Sequence, residues 1–228
     1  LIYGTFDNKD VPAGGFTRNG ENITIFGYGI ISGAKIPHYQ YRNNYPNIVV
    51  PTDRVITLEN AINYKLSGIT TIDNANHTTS IFSYGTGSIK WWKTITWRAN
   101  GDGIGDYGDV EDCFIRTADD CSYVKGNRKR CTFWKDANAA LFHMATIPEN
   151  RSTPLIIEDC DFIYSRLRTA VAFNGGGFQQ RGEGASGQRQ VNVIARNLRF
   201  HDKLINMPIF SLVSFTGAST APTQVGSS

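Results

Sequence analysis

Seven carboxylates crowd the segment from Asn100 to Cys121, NGDGIGDYGDVEDCFIRTADDC: Asp102, Asp106, Asp109, Glu111, Asp112, Asp119 and Asp120. Paired carboxyls do acid–base work. Where two share a site, the second ionisation works against the first, so one is held protonated toward neutral pH and can donate. Cleavage of a glycosidic bond uses that division of labour: one carboxyl protonates the leaving oxygen, and an ionised one activates water or attacks the sugar. Two other readings compete. Acidic, glycine-rich turns solvate loops, and a calcium loop counted from Asn100 finds Asp102 at position three, Gly105 at six and Glu111 at twelve. That frame fails at position five, which is Ile104, and no helical pattern flanks it. No metal or other cofactor is expected.

Other side chains suit a sugar. Trp91 and Trp92 precede the acidic segment, and an indole face packs against the C–H face of a pyranose. Core packing is the competing reading, and strand alternation needs only one of the pair to face inward. His143 reads as a site histidine or a buried, hydrogen-bonded one. Arg166 and Arg168 read as a substrate clamp or a solvated rim. The glycine-rich run 174–187 reads as a lid or as an insertion without function.

The elements that must hold these groups are short strands. Helical periodicity is nearly absent, while a four-residue alternation recurs: Asn22-Ile-Thr-Ile25, Gly68-Ile-Thr-Thr71, Thr94-Ile-Thr-Trp97, Asp112-Cys-Phe-Ile115, Arg130-Cys-Thr-Phe133, Asp159-Cys-Asp-Phe162 and Asn197-Leu-Arg-Phe200. Superposition puts Ile23, Ile69, Ile95, Cys113, Cys131, Cys160 and Leu198 at one inward position. Ile25, Thr71, Trp97, Ile115, Phe133, Phe162 and Phe200 take the next. Irregularly spaced repeats of this kind predict a parallel β-helix, each coil burying its apolar face on its neighbours. A β-sandwich is the alternative, but the tight hairpin signals it needs are scarce between the copies. The recurring cysteines then read as small buried hydrophobes rather than as a disulfide framework. Asp102 lies seven residues after Ile95 and Asp120 seven after Cys113, which predicts that the two stack on consecutive coils with Asp119 alongside.

Composition narrows the partners. The 228 residues are 40% hydrophobic and 12% aromatic, too apolar for a disordered chain. No apolar run approaches the roughly 18–20 residues of a membrane-spanning helix, and no membrane partner is expected. Net charge is +3, with the basic residues scattered apart from Lys125–Arg130, which is no nucleic-acid footprint. Four cysteines form no C-x-x-C pair. Sequons at Asn22, Asn76 and Asn150 permit glycosylation. The start at Leu1, without an initiator Met, reads as a mature or trimmed piece, and GASTAPTQVGSS at the end reads as a polar tail.

Several of these segments resemble the catalytic β-helix of glycoside hydrolase family 49, the dextranases and isopullulanase, which is related to the polygalacturonase β-helices. GTFDN and ITIFGYGIISGAKIP are similar to that family's first coils, and NGDG, VEDCF and ADDC to its acidic motifs. Trp134-Lys135 and Ser165-Arg166-Leu167 match later segments, while DANA stands where the family has C-H-N-D and keeps only Asn138. The interval from Asp102 to the Asp pair is shorter than the family's, and the family's N-terminal β-sandwich has no counterpart here. The resemblance implies that Asp119 is the general acid of an inverting displacement in which Asp102 and Asp120 hold and activate water. It also implies a sugar-contacting role for Lys125.

The expectation is therefore an all-β, right-handed parallel β-helix over 1–215 with a flexible tail over 216–228. It is expected to be a secreted, monomeric endo-glycoside hydrolase acting on an α-glucan polysaccharide, foremost the α-1,6 linkages of dextran. Its catalytic residues would be Asp102, Asp119 and Asp120, with Lys125, Asn138, Trp91, Trp92, His143 and Arg166 binding substrate. The alternatives are the same architecture acting on pullulan, an α-1,3-glucan or a polygalacturonate-like polymer, and a non-catalytic glycan-binding adhesin or tailspike segment.

Overall fold

The computed structural model describes residues 6–7, 16–19, 22–34, 55–59, 61, 63–74, 76–82, 86–98, 101–106, 108–124, 126–135, 142–143, 153–165, 178–181, 193–201, 210–214 and 223–225. Every regular element among them is a strand. A seven-stranded sheet holds Ile23–Phe26, Tyr64–Ser67, Gly87–Lys90, Asp109–Glu111, Arg128–Lys129, Leu155–Glu158 and Val193–Arg196. An eight-stranded sheet holds Phe6–Asp7, Ile30–Ser32, Thr70–Ile72, Lys93–Ile95, Phe114–Thr117, Thr132–Lys135, Asp161–Ser165 and Arg199–His201. A three-stranded sheet contains Phe16–Asn19, Ile56–Glu59 and Thr79–Phe82. A six-stranded sheet contains Ile104–Asp106, Ser122–Val124, Phe142–His143, Phe178–Arg181, Phe210–Ser214 and Thr223–Val225. The pairs are parallel, as in Lys93–Ile95 on Phe114–Thr117, except the last, where Thr223–Val225 from the expected tail runs antiparallel to Phe210–Ser214.

Successive strands visit the sheets in rotation: seven-stranded, eight-stranded, then three- or six-stranded, and back. Parallel neighbours need a crossover, and here the other two strands of each circuit supply it. The two smaller sheets meet where the Thr78 amide donates to the Asp102 carbonyl at 2.8 Å.

Inward columns fill the space between the sheets. In the eight-stranded sheet Thr71, Thr94, Ile115, Phe133, Phe162 and Phe200 stand in register. Phe162 stacks on Phe133 at 5.6 Å and on Phe200 at 4.9 Å between ring centroids, and Phe142 meets Phe133 edge-on at 4.6 Å. Such aromatic pairs add about 0.5–1.5 kcal/mol each beyond the area they bury. The facing column of the seven-stranded sheet is Ile25, Leu66, Ile89, Val110, Arg128 and Ile157. The buried Arg128 guanidinium is satisfied by the Ser122 hydroxyl and by the carbonyls of Gly108, Gly126 and Asn127, each at 3.0 Å.

Between the seven- and eight-stranded sheets the chain turns on one left-handed residue in six of the seven described circuits. These are Gly68, Trp91, Asp112, Arg130, Asp159 and Asn197, with φ from 51° to 81°. The next residue points inward, giving the column Ile69, Trp92, Cys113, Cys131, Cys160 and Leu198. All four cysteines are free and buried. Cys113, Cys131 and Cys160 each donate to the carbonyl two residues earlier, at 3.1, 3.1 and 3.2 Å. Hydrogen bonding to the Cys113 sulfur, with burial, pushes the Cys131 thiol up to about 12. Cys160 is raised in the same way through Cys131.

Four of the expected ladder assignments, in two of the copies, are overturned. Ile23 and Ile25 belong to the seven-stranded sheet. In the third copy Thr94 and Thr96 face inward, while Ile95 is half-buried and Trp97 is exposed. Trp92 already occupies the inward position ahead of that strand, so alternation turns Ile95 and Trp97 outward.

On the outer surface charge alternates from rung to rung. Lys90 Nζ lies 2.9 Å from Glu111, and Arg196 lies 2.9 Å from Glu158. Arg130 pairs with Asp112 at 2.7 Å, and Arg199 with Asp161 at 2.7 Å. Exposed pairs of this kind add little to stability, because solvent screens them. Their larger effect is on register, because a slipped strand sets like charges side by side. The basic run Lys125–Arg130 is thus partly consumed, Arg128 in the core and Arg130 in ion pairs.

Candidate functional site

The corner between the eight-stranded sheet and the two smaller sheets carries Asp73, Asp102, Asp119 and Asp120. At its edge Asp73, Thr96, Thr117 and Lys135 follow one another in register, all buried. Arg98 Nε reaches Asp73 at 2.8 Å. The Thr117 hydroxyl donates to the Asp119 carbonyl at 2.6 Å, and Asp119 Oδ1 accepts the Asp120 amide at 3.0 Å. These bonds fix the backbone of the Asp pair.

Ile104 pairs with Ser122 and Gly105 with Tyr123. The same register continues backward, because the Gly103 amide donates to the Asp120 carbonyl at 2.8 Å. It sets Asp102 beside Asp120 on neighbouring circuits, two residues ahead of the paired strands, with Asp119 next to Asp120 in the chain. The exposures of Asp102, Asp119 and Asp120 are 3, 6 and 5%. Glycines flank Asp102 because there is no room for a side chain. A Cβ on Gly103 would lie 2.0 Å from the Cys121 carbonyl oxygen, and one on Gly101 2.5 Å from the Thr96 hydroxyl.

Two residues to which the sequence gives no site role complete the cluster, Lys135 being named there only within a Trp-Lys segment. Lys135 is fully buried on the circuit after the Asp pair, and burial lowers its pKa while Cys121, Asp120 and Asp119 pull it back up. His77 stands one circuit before Asp102, its Nε2 3.4 Å from Asp102 Oδ2. Beside it, the Thr78 amide and hydroxyl both donate to the Asp102 carbonyl, at 2.8 and 2.9 Å, and Asn74 donates to that hydroxyl at 2.7 Å. A positional signal was present in the sequence: His77 precedes Thr79–Phe82 as Asp102 precedes Ile104–Asp106.

The sugar-binding expectations fare differently. Trp92 is fully buried in the core with Nε1 donating to Thr94 Oγ1 at 3.2 Å, so it offers no face to a sugar. Trp91 is exposed, but at the corner between the seven- and eight-stranded sheets, away from the one that holds Asp102. The His143 backbone lies in the six-stranded sheet, in register with Tyr123 and Gln179. Lys125, Asn138 and Arg166 lie outside the described residues. The calcium frame does not assemble. Glu111 sits in the seven-stranded sheet, where hydrogen bonding to Lys90 and then the Arg130 contact hold its carboxyl below the usual range.

The corner thus gathers three nearly buried carboxylates, a buried amine and a rim histidine, a set able to hold a water and move protons. No protein-family model and no curated protein matches this sequence.

Proposed function

We propose that the chain is a right-handed parallel β-helix whose acidic corner hydrolyses a polysaccharide, foremost the α-1,6 linkages of dextran, with inversion at the anomeric carbon. The rotation of strands through the sheets supports the helix, and right-handed crossovers are the rule for parallel strands. One observation carries the chemistry: Asp102 and Asp120 stand in register two residues ahead of the paired strands Ile104–Asp106 and Ser122–Val124, with Asp119 beside Asp120. In this reading Asp119 gives its proton to the leaving glycosidic oxygen as that C–O bond breaks. A water held by Asp102 and Asp120 attacks the anomeric carbon from the opposite face, and its proton passes to one of those carboxylates. A chain of this kind would be secreted, monomeric and free of cofactors. The low exposure of the carboxylates favours a second reading, a glycan-binding β-helix in which they serve structure alone.

Reducing-end release from dextran, pullulan and polygalacturonate separates the two. Hydrolysis of dextran by the wild-type chain, with a loss of at least about a thousandfold in Asp119→Asn at unchanged thermal midpoint, is the expected outcome. A fully active Asp119→Asn would end the acid assignment.

A further inference from the structure

We propose that His77 is a positioning residue of this site, holding the Asp102 carboxylate from the preceding circuit in the orientation that receives the proton of the attacking water. The inference rests on the hydrolytic reading of Asp102. His77 Nε2 approaches Asp102 Oδ2 at 3.4 Å. A carboxylate oxygen is an acceptor, so the imidazole tautomer that suits this contact carries its proton on Nε2 and donates. The carboxylate is 5% exposed and the histidine side chain 22%. His77 therefore spans from the buried acid to the rim, where a polymer would lie.

Local structure explains why the histidine is held there. Its own amide is tied to Asn76 Oδ1 at 2.8 Å, and its carbonyl accepts the Val55 amide at 3.2 Å. The next residue, Thr78, grips the Asp102 carbonyl through both its amide and its hydroxyl. One dipeptide thus fixes the aspartate at two places, backbone through Thr78 and side chain through His77. The Thr78 bonds hold the chain whether or not Asp102 does chemistry. The His77 contact sets only the direction in which the carboxylate presents its second oxygen. Misplacing a reacting group by about 1 Å costs on the order of a hundredfold in rate. Proton bookkeeping is unchanged by this role: Asp102 accepts one proton from water, Asp119 releases one to the leaving oxygen, and His77 keeps its own.

The test is steady-state hydrolysis of dextran by the full chain carrying His77→Ala or His77→Gln, with thermal midpoints measured alongside. The expected result is a 10–100-fold fall in kcat for His77→Ala, KM within about twofold, and partial recovery in His77→Gln, whose amide restores a donor. Wild-type kcat in His77→Ala would overturn the proposal, as would equal losses in both variants tracking a fall in thermal midpoint. Should His77→Ala fail to fold, His77→Gln decides: kcat lowered less than tenfold at normal stability supports the role, and wild-type kcat removes it. The parallel Asp119→Asn assay keeps the two ideas apart. An inactive Asp119→Asn beside an unimpaired His77→Ala discards the histidine and keeps the hydrolase. Failure of the wild-type chain to cleave dextran, pullulan or polygalacturonate discards both.

Discussion

Each circuit turns two of its corners in opposite ways. Between the seven- and eight-stranded sheets the turn is a single left-handed residue followed by an inward apolar or thiol side chain, repeated from Gly68 to Asn197. Between the eight-stranded sheet and the smaller sheets the connection changes with every circuit. Residues 73–78 make it in one, 96–103 in the next and 118–121 in the one after. Its lining is polar, with Asp73, Asn74, Thr78, Thr96, Asp102, Thr117, Asp119, Asp120 and Lys135 all buried there. The first corner keeps the circuits in register. The second, freed from that duty, varies in length and collects charge, at the cost of desolvating groups that must then satisfy one another. Candidate chemistry therefore sits where the repeat is broken.

The largest expected effect tests how tightly the variable corner is built. Gly103→Ala drives a methyl into the Cys121 carbonyl at 2.0 Å and toward Ile115 Cγ2 at 2.6 Å, atoms that belong to the next circuit and cannot swing away. We expect a loss of about 3 kcal/mol in urea unfolding. A loss under about 0.5 kcal/mol would mean that this corner yields as an ordinary loop does.

The same contrast explains what could be read from the sequence. The four-residue alternation found the constant corner because its first member is the left-handed residue, and Gly68, Asp112, Asp159 and Asn197 are types that tolerate that conformation. It slipped at the third copy, where the left-handed residue is Trp91, a bulky type disfavoured there. The motif was therefore set three residues late, on Thr94-Ile-Thr-Trp97. Asp102 and Asp120 nevertheless fall in backbone register, since the variable corner of that circuit is longer and restores the spacing by Ile104. Period-two alternation says which residues share a face but not which face is buried. The site roles of His77 and Lys135 are hidden in the sequence for a related reason, since each belongs to the cluster only through its rung.

A second contrast is titratable, and the two corners pull in opposite directions. The Cys131 thiol, at the constant corner, is raised in the folded chain to about 12 from an ordinary value of 9.0. The folded state then binds more protons than the unfolded one over that range. This contribution to stability is complete below about pH 9 and is lost as pH climbs toward 12. Lys135, at the variable corner, is lowered by burial from 10.5, so the folded state binds fewer protons and stability gains as pH rises toward 10.5. Urea midpoints measured from pH 8 to 11 should fall less steeply in Cys131→Ala than in wild type and more steeply in Lys135→Met. Unchanged slopes in both variants would break the contrast.

The smallest expected effect is a gain. Trp91 occupies a left-handed position at φ 53° and is 62% exposed. A tryptophan bears a conformational cost of about 1–2 kcal/mol there, and the exposed ring recovers only part of it through burial. Asn197 fills the equivalent place with a residue that enters this region readily. Trp91→Asn should therefore raise stability by up to about 1 kcal/mol and, on the proposed hydrolytic reading, leave dextran cleavage at its wild-type rate, because this corner lies away from the carboxylates. A variant that is stabilised but loses affinity for dextran would change the picture. It would mean that the indole is kept in a costly conformation to meet the polymer, and that the constant corner carries function as well as register.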